Sequence, residues 1–216
     1  MDRAPLFHGV EFYKNSTYMG FSLVELMAVV AVMALLAVVG VPALKGLTGS
    51  SGRKQALSQL MGALEIARNT AISTGTNAAV IFPDSTFSGG DAYKYRSMAV
   101  VGWATNSNAA TMIGSWIVLP QGIAFFPKSI SSLPYATNVN LRIVTSQING
   151  NFPGVVFQPD GGLAEGFSPP PTNGIAFFEG SVSGTTTNVT SRMTNFETVR
   201  LTYYTGRSRP ILAPPP

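Results

Sequence analysis

An α+β fold is expected: a long N-terminal helix, membrane-spanning in its first half and amphipathic in its second, packed on an antiparallel β-sheet domain. Three observations lead there. Residues 21–44 form an apolar run in which Glu25 is the one charged side chain. Apolar residues then recur at three- and four-residue spacing from Arg53 to Thr74. Beyond Gly75 the pattern changes to short β-branched and aromatic runs separated by Pro, Gly, Asn and Ser.

The run from Phe21 to Leu44 has 24 residues. At about 1.5 Å per residue, a helix of that length reaches about 36 Å, enough for a hydrocarbon core of about 30 Å. Core helices rarely stay apolar on all sides for so long. A secretory signal peptide has a shorter apolar region and a small-residue cleavage site after it. Here the run is long and follows a polar stretch, residues 1–20. Glu25 inside it costs about 2.5–3.5 kcal/mol on insertion scales, so a partner is expected. Pro42 removes one helical hydrogen bond and should kink or loosen the helix. Gly46, Gly49, Ser50, Ser51 and Gly52 make residues 45–52 the expected hinge.

The second helical stretch, 53–74, carries Leu57, Leu60, Met61, Leu64, Ala67, Ala71 and Ile72 on one face, with Ile66 opposite. Arg68 interrupts that face and can pair weakly with Glu65. Gly75 is the expected stop. Strands are expected at 77–82, 93–101, 115–119, 122–126, 139–145, 154–158, 175–179 and 198–204. Pro120-Gln121-Gly122 and Pro159-Asp160-Gly161-Gly162 read as turns. Residues 84–92, 104–112, 166–174 and 181–196 read as polar loops, and the tail 213–216 as extended and solvated. Residues 53–212 are therefore one globular domain.

Composition excludes whole classes of chemistry. The 216 residues include 14 basic and 10 acidic side chains, no cysteine, and one histidine, His8. There is no disulfide scaffold and no thiol nucleophile. His8 alone makes a histidine triad or a histidine metal site improbable. The acids after the apolar run are Glu65, Asp84, Asp91, Asp160, Glu165, Glu179 and Glu197. None has paired-carboxylate or calcium-loop spacing. Phosphate-cradling glycine loops are absent. Asn188-Val189-Thr190 matches a glycosylation acceptor, a pattern that arises easily by chance. The expectation is a non-enzyme with no cofactor, no metal and no small-molecule substrate.

Met19-Gly20-Phe21-Ser22-Leu23-Val24-Glu25-Leu26 resembles the processing site of type IV prepilins and pseudopilins. The resemblance implies that residues 1–20 are a leader and that a prepilin peptidase cuts after Gly20 and methylates Phe21. This leader is longer than usual, and Arg3 and Lys14 are offset by Asp2 and Glu11. Glu25 would pair with the terminal amine of a neighbouring subunit's Phe21, and Pro42 follows as in the family's long helix. Val155-Val156-Phe157-Gln158-Pro159-Asp160-Gly161, then Val199-Arg200-Leu201, then Thr205-Gly206-Arg207-Ser208-Arg209 resemble the C-terminal half of H-type minor pseudopilins of type II secretion and of T-type minor pilins. The implied fold is pilin-like. The implied role is a minor subunit in filament assembly, initiation or capping. It would be anchored once in the inner membrane, its C-terminal domain in the periplasm, with other pilin-like subunits as partners.

Gly206-Arg207-Ser208-Arg209 has two readings. In some T-type minor pilins such a motif binds DNA, and two arginines one residue apart can clamp adjacent phosphates. A net charge of +4 is compatible with this, and Lys94, Arg96, Arg142 and Arg200 could extend the patch. The other reading is a surface turn closing the last strand. A third alternative for the whole chain is a membrane-anchored β domain with an unrelated ligand.

Overall fold

The computed structural model describes residues 22–143, 146–164, 174–184, 186–189 and 196–213, with 37–50 and 213 described in backbone only. The leader 1–20, Gly20 and Phe21, most of the loop 166–174, residues 190–195 and the tail 214–216 lie outside the described residues. Contacts divide the chain into two units, residues 1–45 and 46–216.

In the first unit, helix α1 (Leu23–Thr74) begins. Ser22 is its N-terminal cap: the Glu25 N–H meets Ser22 Oγ at 3.4 Å and Ser22 O at 3.1 Å. The backbone is helical through Pro42 and residues 45–52. Among the described residues no helix is long and apolar enough to cross a membrane; the described side chains of the apolar run end at Leu36.

In the second unit, α1 continues to Thr74 and is followed by β1 (Ala78–Ile81), β2 (Ser97–Trp103), β3 (Ala110–Val118) and β4 (Ile123–Phe125). A one-turn helix, α2 (Pro127–Ser131), precedes β5 (Tyr135–Ile143) and β6 (Ser146–Phe157). β7 (Ile175–Ser183), β8 (Thr186–Val189), β9 (Phe196–Leu201) and β10 (Ser208–Ala213) complete the domain. The α+β class is as expected, but the sheet is two sheets. β1, β2, β3, β5 and β6 close into a barrel; β10, β9, β7 and β4 form an open sheet in that order, with β8 added on β7.

Strand alternation explains how one helix serves both sheets. On β1, Ala78 and Val80 face a core that includes Leu60, Leu64 and Ala67 of α1. Ala79 and Ile81, one residue out of phase, fill the barrel with Val101, Val139 and Leu141. The helix core takes Phe125 from β4, Ile175 and Phe177 from β7 and Val199 from β9. Phe82 and Phe125 meet edge-to-face at 5.1 Å, joining the two sheets.

Several expectations are corrected. All strand pairs are antiparallel except β3 with β5, which run parallel over Ala110↔Val139 and Thr111↔Asn140. Residues 181–196 are not a plain loop, since β7 runs to Ser183 and β8 pairs with it. The loop 104–112 ends at β3, which begins at Ala110. The helix face is rotated from the expected one: Ala56 and Ala63 are buried, while Ile72 is 45% exposed. Small side chains let the sheets approach α1, so alanine wins the inner positions. The last strand does not end at the Gly-Arg-Ser-Arg motif; the motif leads into β10.

Candidate functional site

Two regions carry the residues singled out by sequence. The first is the start of α1. Leu23, Val24, Leu26, Met27, Val29, Val30, Val32, Met33, Leu35 and Leu36 are all exposed, from 46% at Val29 to 75% at Leu23. At 100° per residue these positions occupy every side of the helix. Glu25 is exposed among them, in the first turn, where the helix dipole favours a carboxylate. Pro42 lies within α1, and its side chain is outside the described ones.

The second region is the β9–β10 hairpin. Gly206 sits at φ +60. A Cβ there would lie 2.2 Å from the Gly161 carbonyl oxygen and 2.9 Å from the Phe157 ring. Only glycine fits both the left-handed backbone and the approach. The Gly206 N–H donates to Thr202 O at 2.8 Å, and the Thr202 N–H donates to Arg207 O at 2.9 Å. Arg209 then pairs in register with Arg200. Alternation places Arg200, Arg207 and Arg209 on one face of the hairpin, opposite the face on which Val199 enters the helix core. Arg207 and Arg209 are exposed and Arg200 is half-buried. The other cations proposed for this patch are not gathered here. Lys94 and Arg96 lie in the turn before β2, and Arg142 lies on β5 of the barrel. Lys94 is paired with Asp91 at 2.8 Å. That hydrogen bond, together with the ammonium's charge, holds the Asp91 carboxyl below its ordinary value.

Arg68, an interruption of the apolar face in the sequence, has a defined task. Its Nε–H reaches Thr205 O at 2.8 Å and Gly161 O at 3.3 Å, and Nη1 lies 3.5 Å from Glu65. One guanidinium thus ties α1 to the turn after β6 and to the turn before β10. The Asp160-Gly161-Gly162 stretch is a turn, as expected: Asp160 Oδ1 accepts the Gly162 N–H at 2.8 Å. Further up the helix, Arg53 Nε stands 2.9 Å from Glu179 Oε1 of β7. Sequence periodicity finds neither attachment, because each partner is remote in the chain. Among the described residues no group of three or more His, Cys, Asp or Glu could hold a metal ion.

The later turns of α1 thus pack on two β-sheets, and its first turns expose apolar side chains. The family model described as type II transport protein GspH matches residues 56–203, more than half of the chain. The chain belongs to the GspH family, the H-type minor pseudopilins of type II secretion. That family comprises structural, non-enzymatic components of the periplasmic pseudopilus, which interact with other pseudopilin subunits. The matched range stops before Gly206, so it does not include the Arg207 and Arg209 motif. No curated protein and no solved structure matches the chain.

Proposed function

We propose that this chain is a minor pseudopilin anchored in the inner membrane by residues 21–44. A prepilin peptidase removes residues 1–20 after Gly20 and methylates Phe21. The processed subunit then joins a pseudopilus, where it assembles, initiates or caps the filament. The observation that supports this most is the all-round apolar exposure from Leu23 to Leu36. Such a surface needs lipid or neighbouring helices around it. In either setting Glu25 needs a cation, and the amine of a neighbouring Phe21 supplies one. A buried pair of that kind sets register more than it adds stability. Pro42 loosens the helix so that the globular domain can adjust to its place in the filament. The test is incorporation of a Glu25→Ala variant into sheared or cross-linked filaments, with the N-terminus read by mass spectrometry. Loss of incorporation after normal cleavage supports the reading. Normal incorporation, or an intact leader on the wild-type protein, sinks it; the intact leader would favour a membrane-anchored β domain with another ligand.

A second reading, DNA binding, is favoured by the register of Arg209 with Arg200 on the face that also carries Arg207. The exposed guanidiniums of Arg207 and Arg209 on that face suit adjacent phosphates. Gel shift of the full-length protein, with Arg207→Ala and Arg209→Ala as variants, tests it. Salt-sensitive binding lost in both variants would support it, and its absence in the wild type would end it.

A further inference from the structure

A recess opens where the barrel's strand ends meet, on residues that the roles above leave unused. Its larger part is about 520 Å³, and through Asn77, Trp103 and Thr137 it runs into a smaller part of about 220 Å³. Together these fall within the range of about 300–1,000 Å³ typical of ligand pockets. Asn77 precedes β1, Trp103 ends β2, Asn108 lies in the loop before β3, and Tyr135 and Asn138 belong to β5.

Trp103 is held from both sides. Its backbone N–H donates to Asn77 O at 3.0 Å, and its backbone carbonyl accepts the Thr76 hydroxyl at 2.7 Å. The ring packs partly against the barrel core and partly lines the recess. Tyr135 adds a second aromatic at the edge, 54% exposed. Asn138 has φ +53, a left-handed conformation in a residue that is not glycine. It sits at the register break between Ala136 and Val139, where its N–H is held by Asn151 Oδ1 at 3.1 Å. Bulges of this kind re-aim side chains, and such strain persists where the surroundings enforce it.

The lining defines the ligand's chemistry. No charged side chain contributes to it, in a protein of net charge +4. A phosphate or an acidic polymer would find no cation there. The side-chain amides of Asn77, Asn108 and Asn138 have no hydrogen-bond partner among the described residues. A purely apolar ligand would cover these amides and leave them unpaired, which is costly. What remains is a ligand that is uncharged, rich in hydroxyls, and apolar on one face. A pyranose ring is such an object: its C–H face stacks on an aromatic ring, and its hydroxyls both donate and accept, as amides do.

We propose that the recess at Trp103, Tyr135 and the asparagines 77, 108 and 138 binds a neutral pyranose glycan, a function independent of anchoring and filament assembly. The experiment uses the full-length protein in a non-glycosidic detergent. Chitotetraose, cellotetraose and the α-linked maltotetraose are each titrated. Binding is read by saturation-transfer NMR on the sugar and by tryptophan emission. The chain has two tryptophans, and Trp116 is not part of this lining. The expected result is saturation transfer to at least one of the three tetrasaccharides, with an emission change that survives Trp116→Phe. Trp103→Ala should abolish the transfer. Because Trp103 also packs on the core, Asn108→Ala in the exposed loop is the second variant, expected to weaken binding about three- to tenfold, the loss of one net hydrogen bond. Binding of chitotetraose alone would assign the acetamido group to the asparagines; binding of either or both of the other sugars would assign recognition to the ring face and hydroxyls; each supports the site. No transfer to any tetrasaccharide at millimolar concentration overturns it, as does transfer unchanged by both Trp103→Ala and Asn108→Ala.

Discussion

Replacing Gly206 by alanine should unfold the globular domain far more easily than replacing another left-handed glycine. The control is Gly75, which ends α1 at φ +64 and whose added Cβ would meet nothing within 4 Å. Gly75→Ala carries only the dihedral cost, about 1–2 kcal/mol. Gly206→Ala carries the same cost at φ +60, plus a Cβ 2.2 Å from Gly161 O. Real contacts are never that short, and the obstacle is backbone, so the turn at Gly161 must move. That turn and Thr205 hold the Arg68 guanidinium at 3.3 and 2.8 Å. Hydrogen bonds to a charged group contribute about 1.5–3 kcal/mol each. Losing most of one brings the total to about 3–4 kcal/mol, and at about 2–4 °C per kcal/mol the midpoint falls by about 6–16 °C. Gly62→Ala is the opposite control: helical, nothing within 4 Å, and expected to stabilise by about 0.5–1 kcal/mol. Thermal and denaturant unfolding of the full-length chain, followed by tryptophan emission, measures all three. A Gly206→Ala protein within about 0.5 kcal/mol of Gly75→Ala would refute the close-approach argument.

Three further outcomes are expected. Arg68→Ala should cost about 2–3 kcal/mol in the same assay, because two carbonyls lose a charged donor, and Arg68→Lys should restore only part of it, lacking the Nε–H that reaches both. Leu60→Ala, at a fully buried position, should cost about 2–5 kcal/mol; a change under 1 kcal/mol would mean that α1 is not seated on the sheets. Asp91 should titrate below its ordinary value of 3.8 by carboxyl NMR, and Lys94→Met should return it there. Since the folded pKa is the depressed one, the stabilisation from this pair is present above the unfolded pKa and is lost as pH falls through the folded value.

What could be read from the sequence was whatever local chemistry decides. Gly75 stops a helix through its own backbone freedom, and β1 shows as a β-branched run. β10 is not among the expected strands, since Ser208 and Arg209 read equally as a surface turn and Pro210 lacks an N–H; on an edge strand their polarity and the missing N–H are tolerated. β8, built of Thr186, Thr187, Asn188 and Val189, has the composition of a loop and becomes a strand by pairing with β7. The parallel contact of β3 with β5 closes the barrel across remote segments, and no local pattern announces it. The same holds for the Trp103 recess, whose walls come from four separate stretches of chain. Glu25 stands out by contrast, since a lone carboxylate in an apolar run is conspicuous without any structure.

The two arginines on the inner side of α1 solve a problem that its apolar stripe creates. Ala56, Leu60, Ala63, Leu64, Ala67 and Ala71 are small or smooth and recur at three and four residues. A slide of one helical turn would set Ala67 where Ala71 was, and Ala63 where Ala67 was, with little change in shape. Apolar burial scales with area and has no direction, so it resists such a slide weakly. Directed contacts do not slide. Arg53 is fixed on Glu179 of β7 at 2.9 Å, and Arg68, fifteen residues on and about 22 Å along the axis, is fixed on two carbonyls of the opposite turns. Moving α1 by a turn, about 5.4 Å, would break both attachments at once. Polar groups at a packed surface serve here to select one register among near-equal ones. That register decides which turns of α1 the two sheets cover.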